Sequence, residues 1–147
     1  MTSHNLPYAK DYYDIIICNN IWEHVPDPLN MLKEMKRVLK KGGHLIISTP
    51  SRYRIENILR RLIGKPVKFM SNKHITEYSV GQVIEQLKHN GFKTIKIYSK
   101  KNYKIEGIKS RIIYGFIKSI LKSLVVCLKL SPHMLESTCY FLAINDE

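Results

Sequence analysis

The amino-acid sequence predicts an α/β fold in which helices pack on a parallel sheet. Two continuous apolar runs indicate buried strands, and the segment between them has the periodicity of an amphipathic helix. A strand, a helix and a strand joined by brief connections are typical of a right-handed parallel crossover. The 147 residues are 44% hydrophobic and 24% charged, which is ordinary for one globular unit, and no linker is long enough to divide them.

The first strand is predicted from Tyr13 to Asn19, where apolar residues follow one another without the alternation of a half-exposed strand. Such a run is typical of a strand buried on both faces of a parallel sheet. Asp27 then supplies an N-cap, and apolar residues recur at helical spacing as far as Leu39, so we expect a helix that Gly42-Gly43 ends. Leu45 to Ser48 is the second buried strand.

Four further elements follow these three. A short helix is expected near Ile55 to Ile63, and Ser79 with Gln82 forms a capping box that opens another helix. Lys93 to Tyr98 alternates apolar and polar residues, which predicts a strand with one solvated face. Cys139 to Ile144 is the expected final strand.

The segment from Gly107 to Leu130 is predicted to be one long helix, or two consecutive ones. It is strongly apolar, and four of its cations fall on one narrow stripe at helical spacing: Arg111, Lys118, Lys122 and Lys129. These cations interrupt the apolar run, so a membrane-spanning helix is not expected. Two interpretations stay open, a helix in a membrane interface and a lid over the sheet or a partner chain, and the lid is slightly favoured.

The formal net charge of +12 favours anionic partners such as lipid headgroups, nucleic acid or acidic substrates. Basic residues between positions 52 and 61 would suit nucleic acid, but no nucleic-acid-binding motif accompanies them, so that interpretation ranks last. Cys18, Cys127 and Cys139 show no metal-ligand spacing, so we expect reduced, buried thiols and no metal site. No secretory signal is recognised, and we expect a cytoplasmic protein, peripheral on a membrane if the basic segment binds lipid.

Five short motifs follow one another in the first third of the sequence. They are Leu6-Pro7-Tyr8, Asp14-Ile15-Ile16-Ile17, Glu23-His24-Val25, the run from Arg37 to Gly43, and Ser48-Thr49-Pro50. In order and spacing they resemble the C-terminal half of class I S-adenosylmethionine-dependent methyltransferases, in the type 11 group that includes quinone, lipid and sugar enzymes. His74 to Ser79, leading to Gly91-Phe92, resembles a later part of that family. The resemblance covers about two thirds of the chain and leaves out Gly107 to Leu130.

The resemblance implies an incomplete Rossmann-like methyltransferase sheet whose third strand is parallel to the first two and whose last strand is antiparallel. It implies methyl transfer from S-adenosylmethionine to a small-molecule, lipid or sugar acceptor. The family's glycine-rich loop, and the acidic residue that ends its second strand, do not occur in this sequence. Because such a loop supplies backbone N–H groups to the cofactor, we expect the chain alone to bind it poorly and to be inactive. The alternative is a non-catalytic remnant that acts as a membrane-surface or protein-interaction module.

The resemblance also assigns cofactor-binding residues. Thr2 and Ser3 take the place of an Asp-Ala pair that meets the adenine, and Cys18, Asn19 and Asn20 would line the methionine side of the pocket. Open parallel sheets bind ligands at such strand ends. A polar strand end that simply turns into a helix is an equally weighted alternative.

Two histidines, His24 and His74, are candidate general bases for a substrate hydroxyl. His24 lies just after the first strand, and His74 follows a basic loop. In the alternative, Glu23 and His24 hold the loop by hydrogen bonds, and methyl transfer needs only alignment of the acceptor with the methyl group.

In the complete family sheet, the strand from Asp14 to Asn19 lies beside a strand that this sequence lacks. One of its edges would carry unpaired N–H and C=O groups, which favour pairing with another chain. We therefore expect a homo-oligomer or a partner chain at this edge, with Ile15 to Ile17 at the contact.

Overall fold

A computed structural model of the chain describes residues 5–100, 108–127 and 132–146. The strands and helices, in chain order, are β1 (Tyr13–Asn19), α1 (Pro28–Val38), β2 (Leu39–Pro50), α2 (Ile55–Leu62), α3 (Val80–His89), β3 (Phe92–Lys100), α4 (Ile108–Cys127) and β4 (Thr138–Asn145). Single 3-10 turns cover Trp22–His24 and Pro132–Leu135. The predicted order of elements is confirmed. The basic segment contains one helix, α4, and its ends at Gly107 and at residues 128–130 lie outside the described residues.

The four strands form one sheet in the order β1-β2-β4-β3. Strands β1 and β2 are parallel, whereas β4 runs antiparallel to both β2 and β3. β3 therefore points in the same direction as β1 and β2, which confirms the mixed sheet implied by the resemblance. The carboxyl ends of β1 and β2 lie side by side, and β4 begins next to them, because Pro50 pairs with Thr138.

Helices α1 and α3 cover one face of the sheet and form the core with it. The buried apolar side chains at this interface are Leu32 and Met35 of α1, Val83 and Leu87 of α3, Leu45 and Ile47 of β2, and Phe141 and Ala143 of β4. Within the described ranges, this face is closed to solvent, as the amphipathic patterns of both helices predict.

The opposite side of the sheet, here called the open sheet face, is not closed in the same way. Ile15 and Ile17 of β1 are 57% and 67% exposed, and Ile46, Tyr140 and Leu142 of the neighbouring strands are only partly buried. The prediction that β1 is buried on both faces is therefore wrong for this structure. Its apolar run is explained on one face only, and the other face presents apolar surface to solvent.

The end of α1 also differs from the prediction. Asp27 caps the helix as expected, but the helix ends at Val38, and the two glycines expected to end it lie inside β2. The pairing register between β1 and β2 shifts over this stretch. Gly42 has a φ of +77°, and a Cβ on Gly43 would lie 2.8 Å from the carbonyl oxygen of Lys40. The glycines therefore permit an irregular start of β2. In the sequence, a Gly-Gly pair after a helix fits this arrangement and a helix terminus equally well.

In the third quarter of the chain, one local prediction is confirmed and one is wrong in part. Ser79 and Gln82 form the predicted capping box of α3. The pairing of β3 with β4 shifts register next to Ile95, which is 51% exposed, whereas Ile97 packs against the core. The strict alternation predicted for β3 fails at this bulge, because one extra residue turns the following side chains over.

Two of the three cysteines are buried, Cys18 and Cys139, whereas Cys127 is exposed on α4, so the expectation of a buried thiol is wrong there. All three are free thiols. Within the described parts of the chain, no helix has the length and apolar content needed to cross a membrane.

Candidate functional site

The candidate site lies where the chain leaves the carboxyl ends of β1 and β2, the usual ligand side of an open parallel sheet. Asn19 ends β1 and Asn20 follows it, both exposed, and Ser48 of β2 is buried between them and the core. The Asn20 N–H donates to Ser48 Oγ at 3.0 Å, and Ser48 Oγ lies 2.5 Å from Asn19 Oδ1. Asn20 has a φ of 51°, a left-handed conformation that Asn tolerates better than most residues. These contacts fix two exposed amides at the strand end.

A single 3-10 turn then places an acidic and a basic side chain beside this strand end. Trp22 anchors the turn, since its side chain is fully buried and its Nε1 donates to Gln86 Oε1 at 3.1 Å. Glu23, which follows, is 2% exposed. Its carbonyl oxygen accepts hydrogen bonds from the N–H groups of Ile75 and Thr76, at 2.8 and 3.3 Å. The turn therefore holds the loop that carries His74 against the end of the sheet.

This contact brings together the two histidines predicted as candidate bases. The rings of His24 and His74 meet edge to face, with their centroids 5.0 Å apart. His24 Nδ1 lies 3.0 Å from the carbonyl oxygen of Lys73. A carbonyl only accepts, so Nδ1 is the donor, and in the neutral ring Nε2 keeps its lone pair. The Glu23 carbonyl accepts from Ile75 and Thr76, and His24 Nδ1 donates to the carbonyl of Lys73, so these hydrogen bonds are also compatible with the loop-holding role given as the alternative.

Glu77 orients the ring of His74 through a hydrogen bond. Its carboxylate is fully buried and accepts hydrogen bonds from His74 Nδ1 at 2.8 Å, from Arg54 Nη1 at 2.5 Å and from the N–H of Met70. An ionised carboxylate has no proton to donate, so His74 Nδ1 must be the donor. The Nε2 atom of a neutral His74 then carries a lone pair, in an orientation that the carboxylate fixes.

The Nε2 atom of His74 lies 4.0 Å from Glu23 Oε1, and the second oxygen of that carboxylate is buried without a hydrogen-bond partner among the described residues. Such a group is costly unless a ligand or a proton satisfies it. Ligand atoms of Glu23, His24 and His74 all lie within 4.8 Å of one another. This donor set can accept a proton from a hydroxyl group, and it also fits a divalent cation, for which Glu77 would orient one imidazole ligand.

The other predicted residues are placed less directly. The thiol of Cys18 points into the core, where burial, helped by the negative charge of Glu23, raises its pKa to about 12. Thr2 and Ser3 lie outside the described residues. The cofactor contacts assigned to these residues and to Asn19 and Asn20 stay a prediction. For the cofactor, the described residues offer exposed amides at one strand end and no glycine-rich loop.

Sequence reasoning missed three residues that shape the site. Glu77 lies three positions after His74, and this spacing was an available signal for a paired side chain. Arg54 belongs to the basic residues that would suit nucleic acid, but it is 3% exposed and its guanidinium forms an ion pair with the Glu77 carboxylate. Ser48 is predicted as the end of a strand and as part of the Ser48-Thr49-Pro50 motif, and neither prediction indicates its hydrogen bonds to the end of β1. Contacts between residues so distant in sequence, 54 and 77 or 20 and 48, leave no local pattern.

Comparison with known proteins places residues 1–97 in a family model described as a methyltransferase domain. An uncharacterised protein of Methanocaldococcus jannaschii is 32% identical over 115 residues, which cover 76% of this chain and 55% of the relative. A ubiquinone biosynthesis O-methyltransferase of Aliivibrio fischeri is 38% identical over 52 residues, 35% of this chain and 22% of that enzyme.

Solved structures show the same fold. An S-adenosylmethionine-dependent methyltransferase of Thermotoga maritima superposes with a TM-score of 0.63 at 18% identity, covering 99% of this chain and 61% of the other. The chain thus spans about half the length of the archaeal relative and less than two thirds of the Thermotoga structure.

Proposed function

Because the chain belongs to the methyltransferase domain family, we propose that it forms the acceptor-binding side of an S-adenosylmethionine-dependent methyltransferase. The proposed acceptor is a hydroxyl group of a small-molecule, lipid or sugar substrate. The observation that carries the proposal is the histidine arrangement at the ligand end of the sheet, with His74 Nδ1 hydrogen-bonded to Glu77. Family membership supports the cofactor and the reaction class, and the chain's own residues support the acceptor chemistry.

In this proposal His74 is the general base. Its Nε2 accepts the proton of the acceptor hydroxyl while Glu77, held by Arg54, stabilises the imidazolium that forms. His24 lies edge to face against the same ring and limits the directions from which an acceptor reaches Nε2. The cofactor, when bound, supplies an electrophilic methyl group. The protein must hold the acceptor oxygen in line with it, and a rigid, hydrogen-bonded loop is suited to that task.

We propose that a segment bearing the glycine-rich loop completes the site by pairing with β1. Strand β1 is at one edge of the described sheet, and Ile15 and Ile17 on the open sheet face are more than half exposed. An apolar strand with a free edge favours β-pairing with a further strand. The same surface would otherwise bind a second copy of this chain, so a homo-oligomer is the competing occupant.

The test of the base uses an extended chain, in which the strand and glycine-rich loop of a related methyltransferase are fused to the N-terminus of this chain. Radiolabelled S-adenosylmethionine is incubated with panels of phenolic, sugar and lipid hydroxyl acceptors. His74→Asn should lower turnover by about a hundredfold or more and leave binding of S-adenosylhomocysteine unchanged within error, because the base acts after the cofactor is bound. His89→Asn, an exposed histidine at the end of α3, is the matched control.

Full turnover by the His74 variant would contradict the base and leave alignment as the whole of catalysis. Absence of cofactor binding by the extended chain would contradict the methyltransferase proposal itself. That result would favour the second candidate function, a non-catalytic module, for which the row of exposed apolar residues on α4 is the supporting observation.

A further inference from the structure

Helix α4 carries a row of large apolar side chains that are more than half exposed. Ile112, Phe116, Ile120 and Leu124 are 67%, 69%, 53% and 52% exposed. They recur every four residues, so they share one side of the helix over about 18 Å of its length. Single exposed apolar residues are ordinary, whereas a continuous row marks a contact surface.

The charges of α4 have one sign. Residues 108–127 contain four Lys or Arg and no Asp or Glu. At about 100° per residue, Arg111, Lys118 and Lys122 fall within one narrow stripe away from the apolar row, whereas Lys109 in the first turn falls at the angle of the row. A helix that pairs with another helix commonly carries charges of both signs along the borders of the contact. An apolar row accompanied by cations alone instead suits a surface with acyl chains inside and anionic headgroups outside.

We propose that α4 docks the protein on an anionic lipid surface, with Ile112, Phe116, Ile120 and Leu124 in the acyl boundary and the stripe of Arg111, Lys118 and Lys122 among the headgroups. The helix lies along the surface, since no helix of the described ranges is long and apolar enough to cross a bilayer. The chain's net charge of +12 adds long-range attraction to such a surface.

Docking through α4 also orients the molecule. The helix lies in sequence between the end of β3 and the start of β4, and the strand β4 begins beside the carboxyl end of β2. It therefore leaves and rejoins the sheet at the end that holds the histidines. The lipid contact does not depend on the proposed function, but it would bring an acceptor at the surface to that end of the sheet.

The electrostatic part is tested by cosedimentation of the full chain with phosphatidylcholine vesicles, with and without phosphatidylglycerol. We expect binding to the anionic vesicles that weakens with added salt. Lys118→Glu with Lys122→Glu should lower the partition coefficient at low salt by at least about tenfold. Lys41→Glu with Lys88→Glu, two exposed lysines away from α4, makes the same change in net charge and should have a much smaller effect.

The apolar part is tested with Phe116→Ser and Ile120→Ser together, which should lower binding to anionic vesicles at least about tenfold. Leu62→Ser with Ile63→Ser is the matched control, since these side chains are 74% and 67% exposed at the end of α2. Circular dichroism checks that each variant is folded. Equal binding to neutral vesicles, no binding at all, or equal losses in the α4 and control variants would overturn the proposal. Undiminished binding by the α4 variants would also overturn it and favour a lid.

Discussion

Replacing Glu77 by Gln should destabilise the protein strongly, because among the described residues Glu77 is the only carboxylate that contacts buried Arg54 closely. The Glu77 carboxylate is fully buried, Arg54 is 3% exposed, and the two are joined at 2.5 Å. The next carboxylate within the described residues, Glu56, is 3.9 Å from Arg54 Nε and mostly exposed. A Gln amide keeps one acceptor oxygen but turns a donor toward groups that are themselves donors. Removing one charge of a buried ion pair leaves the other charge buried and uncompensated. This costs about 3–5 kcal/mol, a large share of the stability of a domain this size.

The assay is urea unfolding followed by the fluorescence of Trp22, the single tryptophan, which is fully buried beside the site. The expected loss of about 3–5 kcal/mol corresponds to a fall in melting temperature of about 6–20 °C at this chain length. Glu85→Gln, the same chemical change at an exposed position of α3, should shift stability by less than about 0.5 kcal/mol. In an Arg54→Met background, Glu77→Gln should cost at least about 1 kcal/mol less than in the wild type. A cost below about 1 kcal/mol for Glu77→Gln alone would refute the reasoning.

Four further predictions follow from particular contacts. At pH 8, iodoacetamide should label Cys127 in the folded protein and spare Cys18 and Cys139, because burial raises the pKa of each buried thiol to about 12; mass spectrometry of the peptides reads this out. The free energy of unfolding should fall by up to about 2.7 kcal/mol per pH unit between about pH 9 and 11, since only the unfolded state then ionises these two thiols; a flat profile from urea melts would contradict it. Gly43→Ala should destabilise by about 1–3 kcal/mol because its Cβ meets backbone at 2.8 Å, whereas Gly81→Ala, in the open first turn of α3, should be neutral or stabilising by up to about 1 kcal/mol. Titrated Zn²⁺ should raise the melting temperature of the wild type and not of His24→Ala with His74→Ala, and an equal rise in both would exclude these side chains as ligands.

The architecture followed from the sequence because its causes are local. The apolar run of β1, the Asp27 cap of α1 and the Ser79 capping box each act within a few residues, and the structure has each of them. Where prediction failed, a non-local cause decided the outcome. The glycines after α1 lie where the pairing of β1 with β2 shifts register, and Ile95 turns outward at a bulge against β4.

The site shows the same division. Both histidines were recognisable as candidate bases, but their meeting depends on backbone hydrogen bonds from Ile75 and Thr76 to the carbonyl of Glu23. Arg54 illustrates what a sequence hides most completely. In a run of basic residues it is indistinguishable from a solvated cation, and only the fold shows that it neutralises a buried carboxylate.

Calorimetric titration of the 147-residue chain with S-adenosylhomocysteine tests most directly the claim that this chain supplies the acceptor side of a methyltransferase site and not the cofactor loop. Cooperative unfolding of the same sample, followed by Trp22 fluorescence, first establishes that the protein is folded. We expect no saturable heat from the chain alone, since no glycine-rich loop offers backbone N–H groups to the ligand. One-to-one binding in the micromolar range to the folded monomer would contradict the account.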